Sequence, residues 1–279
     1  MNYIYIYSGN LPSYAKVSIN SIKSVDLKAN IVLCSDEDNH LPNVKNVTFE
    51  QIESELTKKV KEINYFQDET NPLWTTSLLR IFYLLDVVKF FDYDNFIHFD
   101  ADVMIYKSYD QLKDYFDYEK FNITSLTELD LIFSYSFTKN IENYQLICEK
   151  IYQILKKPKK YEKKFYESKK LNEMMLLNIV YMENRELFNI LPSIPDVNNK
   201  NKILFDSGTY GQYLSGASKT LLSKNIIHEN SFVGRFLLEG SASVKFKNKP
   251  FVRFNKENFE LANLHIHGKN LNKYIPKGF

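Results

Sequence analysis

Apolar and polar positions change period several times along the chain, and each change predicts an element. Tyr3 to Tyr7 alternate as a half-buried strand does, Ala15, Ile19 and Ile22 after Pro12 recur at helical spacing, and Ile31 to Cys34 make a second apolar run. That order predicts a βαβ opening. From Asn71-Pro72 the run WTTSLLRIFYLLDVVKFF predicts a strongly apolar helix, with proline tolerated in a first turn that needs no backbone donor. The following NFIHFDADVMIY predicts a buried strand, because near-continuous apolar residues before Asp100 suit a central parallel strand covered on both faces. Phe121 to Leu126 predict another strand, a Met- and Leu-rich helix is expected after Asn172, and Leu261 to His267 predict a closing strand. No internal repeat or long Gly/Ser linker interrupts the series. The expectation is a single α/β domain over residues 1–279, with a mixed, mostly parallel central sheet flanked by helices.

Composition narrows the classes. An apolar fraction of 44% excludes a disordered chain, and 36 basic against 34 acidic residues give no argument for a nucleic-acid binder. Cys34 and Cys148, far apart, fit a reduced compartment better than a disulfide scaffold or a four-ligand zinc site. The opening MNYIYIYSGN enters a strand without a basic leader or long apolar core, so a cytoplasmic location is expected. Residues 156–170, KKPKKYEKKFYESKK, hold eight lysines against Glu162 and Glu167. Such a run reads as a solvated face or as a peripheral contact with an anionic membrane.

Two positions carry the sharpest chemistry. Asp100 and Asp102 stand two apart at the carboxyl end of a predicted strand, where open α/β sheets place ligands, and their oxygens suit Mn²⁺ or Mg²⁺. Turn-forming aspartates are the plainer reading. Near the C-terminus, LHIHGKNL puts His265 and His267 on one strand face, followed by Gly268 and Lys269. Imidazole completes the coordination of a borderline ion, glycine admits close backbone approach to a phosphate, and lysine offsets its charge. Arg80 interrupts the apolar helix, either snorkelling to solvent or aimed at a diphosphate. Glu173, at the start of the later helix, and Asp206, in the loop before Gly208 and Tyr210, are the competing general-base candidates. Gly208, Gly211 and Gly216 read equally as turn glycines.

Arg80, the run FIHFDADVMIY and the late HIHGK together resemble GT-A glycosyltransferases, especially the glycogenin and galactosyltransferase type classed as family 8. The resemblance implies a Rossmann-like GT-A sheet, with residues 1–118 binding a nucleotide sugar and residues 119–279 forming the acceptor half. It also implies a metal held by Asp100, Asp102 and His265, with His267 the competing imidazole, and a diphosphate contacted by Gly268 and Lys269. Tyr7 and Ser8, ending the first strand, and Asp36, ending the second, would receive the nucleoside. UDP is the implied nucleotide, and a glycan or lipid-linked acceptor the implied partner. Two positions depart from that pattern: Leu271 stands where a lysine is expected three residues after Gly268, and Asn172-Glu173 replaces an Asp-Gln pair. The segment LFDSGTYGQYLSG with the downstream LHIHGK also resembles bacterial and viral GT-A-like proteins that share a Gly-Gln-Tyr-Leu run.

Three rival functions fit parts of this pattern. DADVM after an apolar strand is similar to the nucleophile motif of haloacid-dehalogenase-like phosphatases, with Asp100 attacking phosphorus and Asp102 as acid/base. No later strand ends in the paired acidic residues that such enzymes use. A sugar nucleotidyltransferase would need a Gly-rich first loop, where only Gly9 is present. A non-catalytic nucleotide-sugar or glycan-binding module would differ from an enzyme by lacking donor hydrolysis.

Overall fold

A computed structural model describes residues 1–36, 39, 41–66, 69, 72–197, 202–215 and 231–277. The first part runs β1 (Asn2–Tyr7), α1 (Ser13–Val25), β2 (Asn30–Ser35), β3 (Lys45–Thr48), α2 (Phe49–Ile52), α3 (Glu55–Ile63), α4 (Leu73–Phe90), β4 (Phe96–Phe99) and β5 (Val103–Ile105). It continues with α5 (Tyr109–Leu112), β6 (Phe121–Thr127), β7 (Asp130–Thr138), α6 (Ile141–Leu155), α7 (Pro158–Phe165), α8 (Glu173–Glu183) and β8 (Phe188–Ile190). The last part is β9 (Ile203–Leu204), α9 (Thr209–Ser215), α10 (Phe232–Leu238), β10 (Ala242–Phe246), β11 (Pro250–Phe254), β12 (Glu257–Leu261) and β13 (Asn263–His265). Asn71 and Gly216 lie outside the described residues.

Seven strands form the central sheet in the order β3-β2-β1-β4-β7-β6-β8. Neighbours are parallel except at β7, which runs antiparallel to both β4 and β6. The chain thus adopts the expected α/β class with a mixed, mostly parallel sheet. Strand alternation divides the interior. Ile4 and Val32 face α4, α6 and α8, whereas Tyr3, Tyr5 and Leu33 face α1 and β5. A four-stranded sheet, β10-β11-β12-β9, covers a third cluster around Met104, Tyr106 and Leu264.

Helix α4 is apolar on nearly all sides because it lies in the core, burying Leu78, Ile81, Phe82, Leu84, Leu85, Val87 and Val88. Each such side chain contributes about 1.5–3 kcal/mol. Its one buried acid, Asp86, accepts from the Thr57 hydroxyl at 2.5 Å and the Ser54 N–H at 3.2 Å. Among the described residues no helix is long and apolar enough to cross a membrane. Cys34 and Cys148 are buried free thiols.

Two expected strands are each broken in two. In NFIHFDADVMIY the Val103 N–H turns back to the Asp100 carbonyl at 3.0 Å, so the chain leaves the main sheet after Phe99. β5 pairs instead with β13, matching Val103 to His265 and Ile105 to Asn263. The closing strand breaks at Ala262, whose N–H donates to Leu204 and whose carbonyl accepts from Tyr106. β12 therefore belongs to the small sheet and β13 to the two-stranded ribbon. Periodicity could not show these breaks, because both sides of each are apolar.

Candidate functional site

The ends of β1, β2 and β4 meet the β13 ribbon around a cavity of about 740 Å³. Tyr7, Ser8 and Asp36 line one part, and Asp100, Asp102, His265, His267 and Lys269 another, with Arg80 and Glu173 on the same wall. The tight turn after β4 projects both aspartates from the strand end. The ribbon brings His265 opposite Val103, and the Ile266 N–H donates to the Asp102 carbonyl at 2.8 Å. Ligand atoms of Asp100, Asp102 and His265 all lie within 4.8 Å of one another.

Charge decides how this cluster is held. His265 Nε2 stands 3.1 Å from Asp102 Oδ1, and the Lys269 ammonium pairs with Oδ2. Burial raises the Asp102 pKa, but the imidazole and ammonium beside it more than reverse that and hold the carboxyl well below the usual range. Burial lowers the His265 pKa, yet the Asp102 carboxylate carries it above the ordinary imidazole value. Asp100 pairs with Arg80, whose guanidinium also stands 3.9 Å from Glu173. Burial disfavours that guanidinium, while Asp100 and Glu173 raise its pKa overall. Glu173 opens α8 beyond the Asn172 cap, which accepts from the Met175 N–H at 2.9 Å. Burial pushes its carboxyl up, and Arg80 only partly offsets this.

His265, ending β13, and His267, in the turn beyond it, are told apart by geometry. Their rings stack with centroids 4.2 Å apart, but only His265 joins the aspartates in the ligand cluster. At the other part of the cavity, Ser8 donates to Asp36 Oδ2 and the Gly9 N–H to Oδ1, each at 2.5 Å. Tyr7 sits beside them.

Two candidates occupy other places. Asp206 is fully buried and does not line the cavity. Its Oδ1 accepts from the N–H groups of Gly208 and Tyr210, and its Oδ2 from those of Gly211 and His265, at 2.8–3.0 Å. Burial raises its pKa against those bonds. A carboxylate so enclosed supports β13, and of the two general-base candidates only Glu173 lines the cavity. Gly268 likewise does not line the cavity; its N–H donates to Ser215 Oγ at 3.3 Å, and a Cβ there would lie 2.8 Å from the Ser215 carbonyl. Its lack of a side chain lets it pack on α9.

Gly211, read as a turn glycine, lies inside α9, and two further residues, His98 and Tyr14, escaped the sequence reading. Gly211 lets α9 lie against β13, since a Cβ there would stand 1.8 Å from the His265 carbonyl oxygen. His98 is fully buried in β4, with Nδ1 3.1 Å from the Ile4 carbonyl and Nε2 3.8 Å from Asp100. Burial and the neighbouring guanidinium push its pKa down to about 3, so the ring is neutral and Nδ1 carries the proton. A histidine inside an apolar strand, two residues before an aspartate, was the available signal. Tyr14 lines the cavity with the Lys269 ammonium 5.7 Å from its ring centre, and nothing local marks it.

The fold and site therefore define an α/β protein with a three-ligand acidic and imidazole cluster at the strand ends. No family model and no curated protein matches the chain. Among solved structures, mouse xyloside xylosyltransferase 1 in its apo form aligns over 69% of this chain and 86% of that one, at 10% identity and a TM-score of 0.46. The galactosyltransferase LgtC, in complex with donor and acceptor sugar analogs, aligns over 82% and 83%, at 8% identity and a TM-score of 0.44. Glycosyltransferase GlyE of Streptococcus pneumoniae TIGR4 aligns over 68% of this chain and 44% of that one, at 10% identity and a TM-score of 0.42. These are distant likenesses in chain course.

Proposed function

We propose that the chain is a metal-dependent glycosyltransferase of the GT-A type, transferring a hexose from a nucleotide sugar, with UDP the preferred nucleotide. The observation that carries this reading is the convergence of Asp100, Asp102 and His265 in one cavity with the Ser8–Asp36 pair. An ion that holds oxygen ligands at about 2.1 Å needs neighbouring ligands about 3–4 Å apart, so a cluster within 4.8 Å requires only a small contraction. Two carboxylates and an imidazole suit Mn²⁺, and Mg²⁺ less well because of the nitrogen. When bound, the ion supplies charge neutralisation to the departing nucleoside diphosphate.

The chain's own groups do the rest. Tyr7, Ser8 and Asp36 receive the nucleoside, Asp36 accepting from a ribose hydroxyl through the carboxylate that Ser8 and Gly9 orient. Lys269 and Arg80 offset diphosphate charge. Glu173, partly buried beside Arg80, faces the sugar either as general base toward an acceptor hydroxyl or as a fixed charge beside the developing oxocarbenium centre. In this reading residues 1–118 form the nucleotide-sugar half, and residues 119–279 form the acceptor half and return the ribbon to the metal. Exposed lysines at 156, 157, 159, 160, 163 and 164 support a peripheral contact with an anionic membrane bearing a lipid-linked acceptor. A glycan or protein acceptor fits the same site.

The test is a panel of nucleotide sugars assayed for release of nucleoside diphosphate with Mn²⁺, with and without EDTA. Mn²⁺-dependent release from a UDP-sugar is expected. Absence of release from every donor, together with no Mn²⁺-dependent rise in melting temperature with UDP, would refute the reading.

A further inference from the structure

Lys269 adopts a left-handed backbone conformation, φ 58°, directly after a glycine that does not. Non-glycine residues enter that region at a cost and usually for a local reason. Here the turn, closed by the Lys269 N–H to the Ile266 carbonyl at 2.9 Å, carries the ammonium back onto Asp102. Tyr14 presents its ring to the same ammonium. Arg80 does for Asp100 what Lys269 does for Asp102, so each carboxylate of the cluster already has a cationic partner. With Glu173 sharing Arg80, three carboxylates face two cations, so a divalent cation entering alone would turn a single excess negative charge into an excess positive one. An unmatched charge in a largely buried site is costly. A diphosphate arriving with the ion supplies the missing negative charge and a new acceptor for the displaced ammonium.

We propose that Lys269, positioned by Tyr14, is an exchangeable counter-ion that moves from Asp102 to the diphosphate and so makes cation and nucleoside diphosphate bind as a pair. The inference rests on the cation site assigned under the proposed function and adds to it an explicit linkage. Because linkage is reciprocal, UDP must tighten Mn²⁺ by the same factor as Mn²⁺ tightens UDP. UMP, with fewer phosphate charges, gives a smaller factor.

The experiment measures Mn²⁺ binding by electron paramagnetic resonance, alone and with saturating UDP or UMP. The proteins are the unaltered chain, Lys269→Met, Lys269→Gln, Tyr14→Phe and Tyr14→Leu. In the unaltered chain UDP is expected to tighten Mn²⁺ by about 10- to 100-fold. Both Lys269 variants should bind Mn²⁺ alone at least several-fold more tightly, while the UDP effect shrinks to a few-fold. Tyr14→Phe, which keeps the ring, should retain the coupling, and Tyr14→Leu should lose most of it. If the Lys269 variants bind bare Mn²⁺ no more tightly than the unaltered chain, the counter-ion exchange is wrong while the cation site stands. If no sample binds Mn²⁺ even with UDP, the cation site itself is wrong and the exchange falls with it.

Discussion

Asp102 and Asp206 are both buried carboxylates that touch His265, yet they are held in opposite ways. Asp102 is bound by side chains, the imidazole of His265 and the ammonium of Lys269. Asp206 is bound by four backbone N–H groups, one of them from His265 itself. Side-chain partners can swing away and leave oxygen atoms for another ligand; backbone partners cannot without unfolding α9 and β13. The first arrangement suits a site that exchanges ligands, and the second suits a fixed support.

That contrast breaks most visibly if the support is removed. Asp206→Ala would strand several buried donors and is expected to cost about 3–5 kcal/mol in urea unfolding. A change under about 1 kcal/mol would show that the backbone cage is incidental. Next in size is Gly211→Ala, whose Cβ must push the His265 carbonyl away. It should cost about 1–3 kcal/mol and abolish Mn²⁺ binding as well, and a normal Mn²⁺ titration in that variant would uncouple α9 from the cluster.

Asp102→Asn marks the opposite pole. Lys269 is half exposed and can turn to water, and the asparagine oxygen can still accept from His265, so stability should move by only about 1–2 kcal/mol, while Mn²⁺ affinity with UDP falls on the order of 100-fold. Loss of folding in that variant would erase the distinction from Asp206. Asp36 is a mixed case, exposed and held by one hydroxyl and one backbone N–H. Ser8→Ala should weaken UDP binding no more than about tenfold by calorimetry and leave unfolding unchanged, and a larger loss would mean that the hydroxyl itself touches the nucleotide.

The same contrast explains what could be read in the residues alone. The alternation of Tyr3 to Tyr7, the apolar helix around Arg80 and the FIHFDAD run are local signals, and they located β1, α4, β4 and the two aspartates. His265 stood out because two histidines shared a strand face ahead of Gly-Lys. Choosing between them needed the third dimension, as did the split of each long apolar run into two strands that join different sheets. At Asp206 a carboxylate in a Gly-rich loop looks available until its partners are seen, and those partners are backbone atoms with no residue-type signature. Gly211 and Tyr14 act on groups distant in sequence, so their neighbours say nothing of their roles.

The β5–β13 ribbon has a consequence for how the protein is made. Asp102 and Lys269 lie 167 positions apart, and their meeting depends on β13 docking against a strand that left the ribosome long before. During synthesis the central sheet can form with its acidic turn unfinished. A chain cut before His265 would keep most of the hydrophobic interior yet lack the imidazole and the ammonium that hold Asp102.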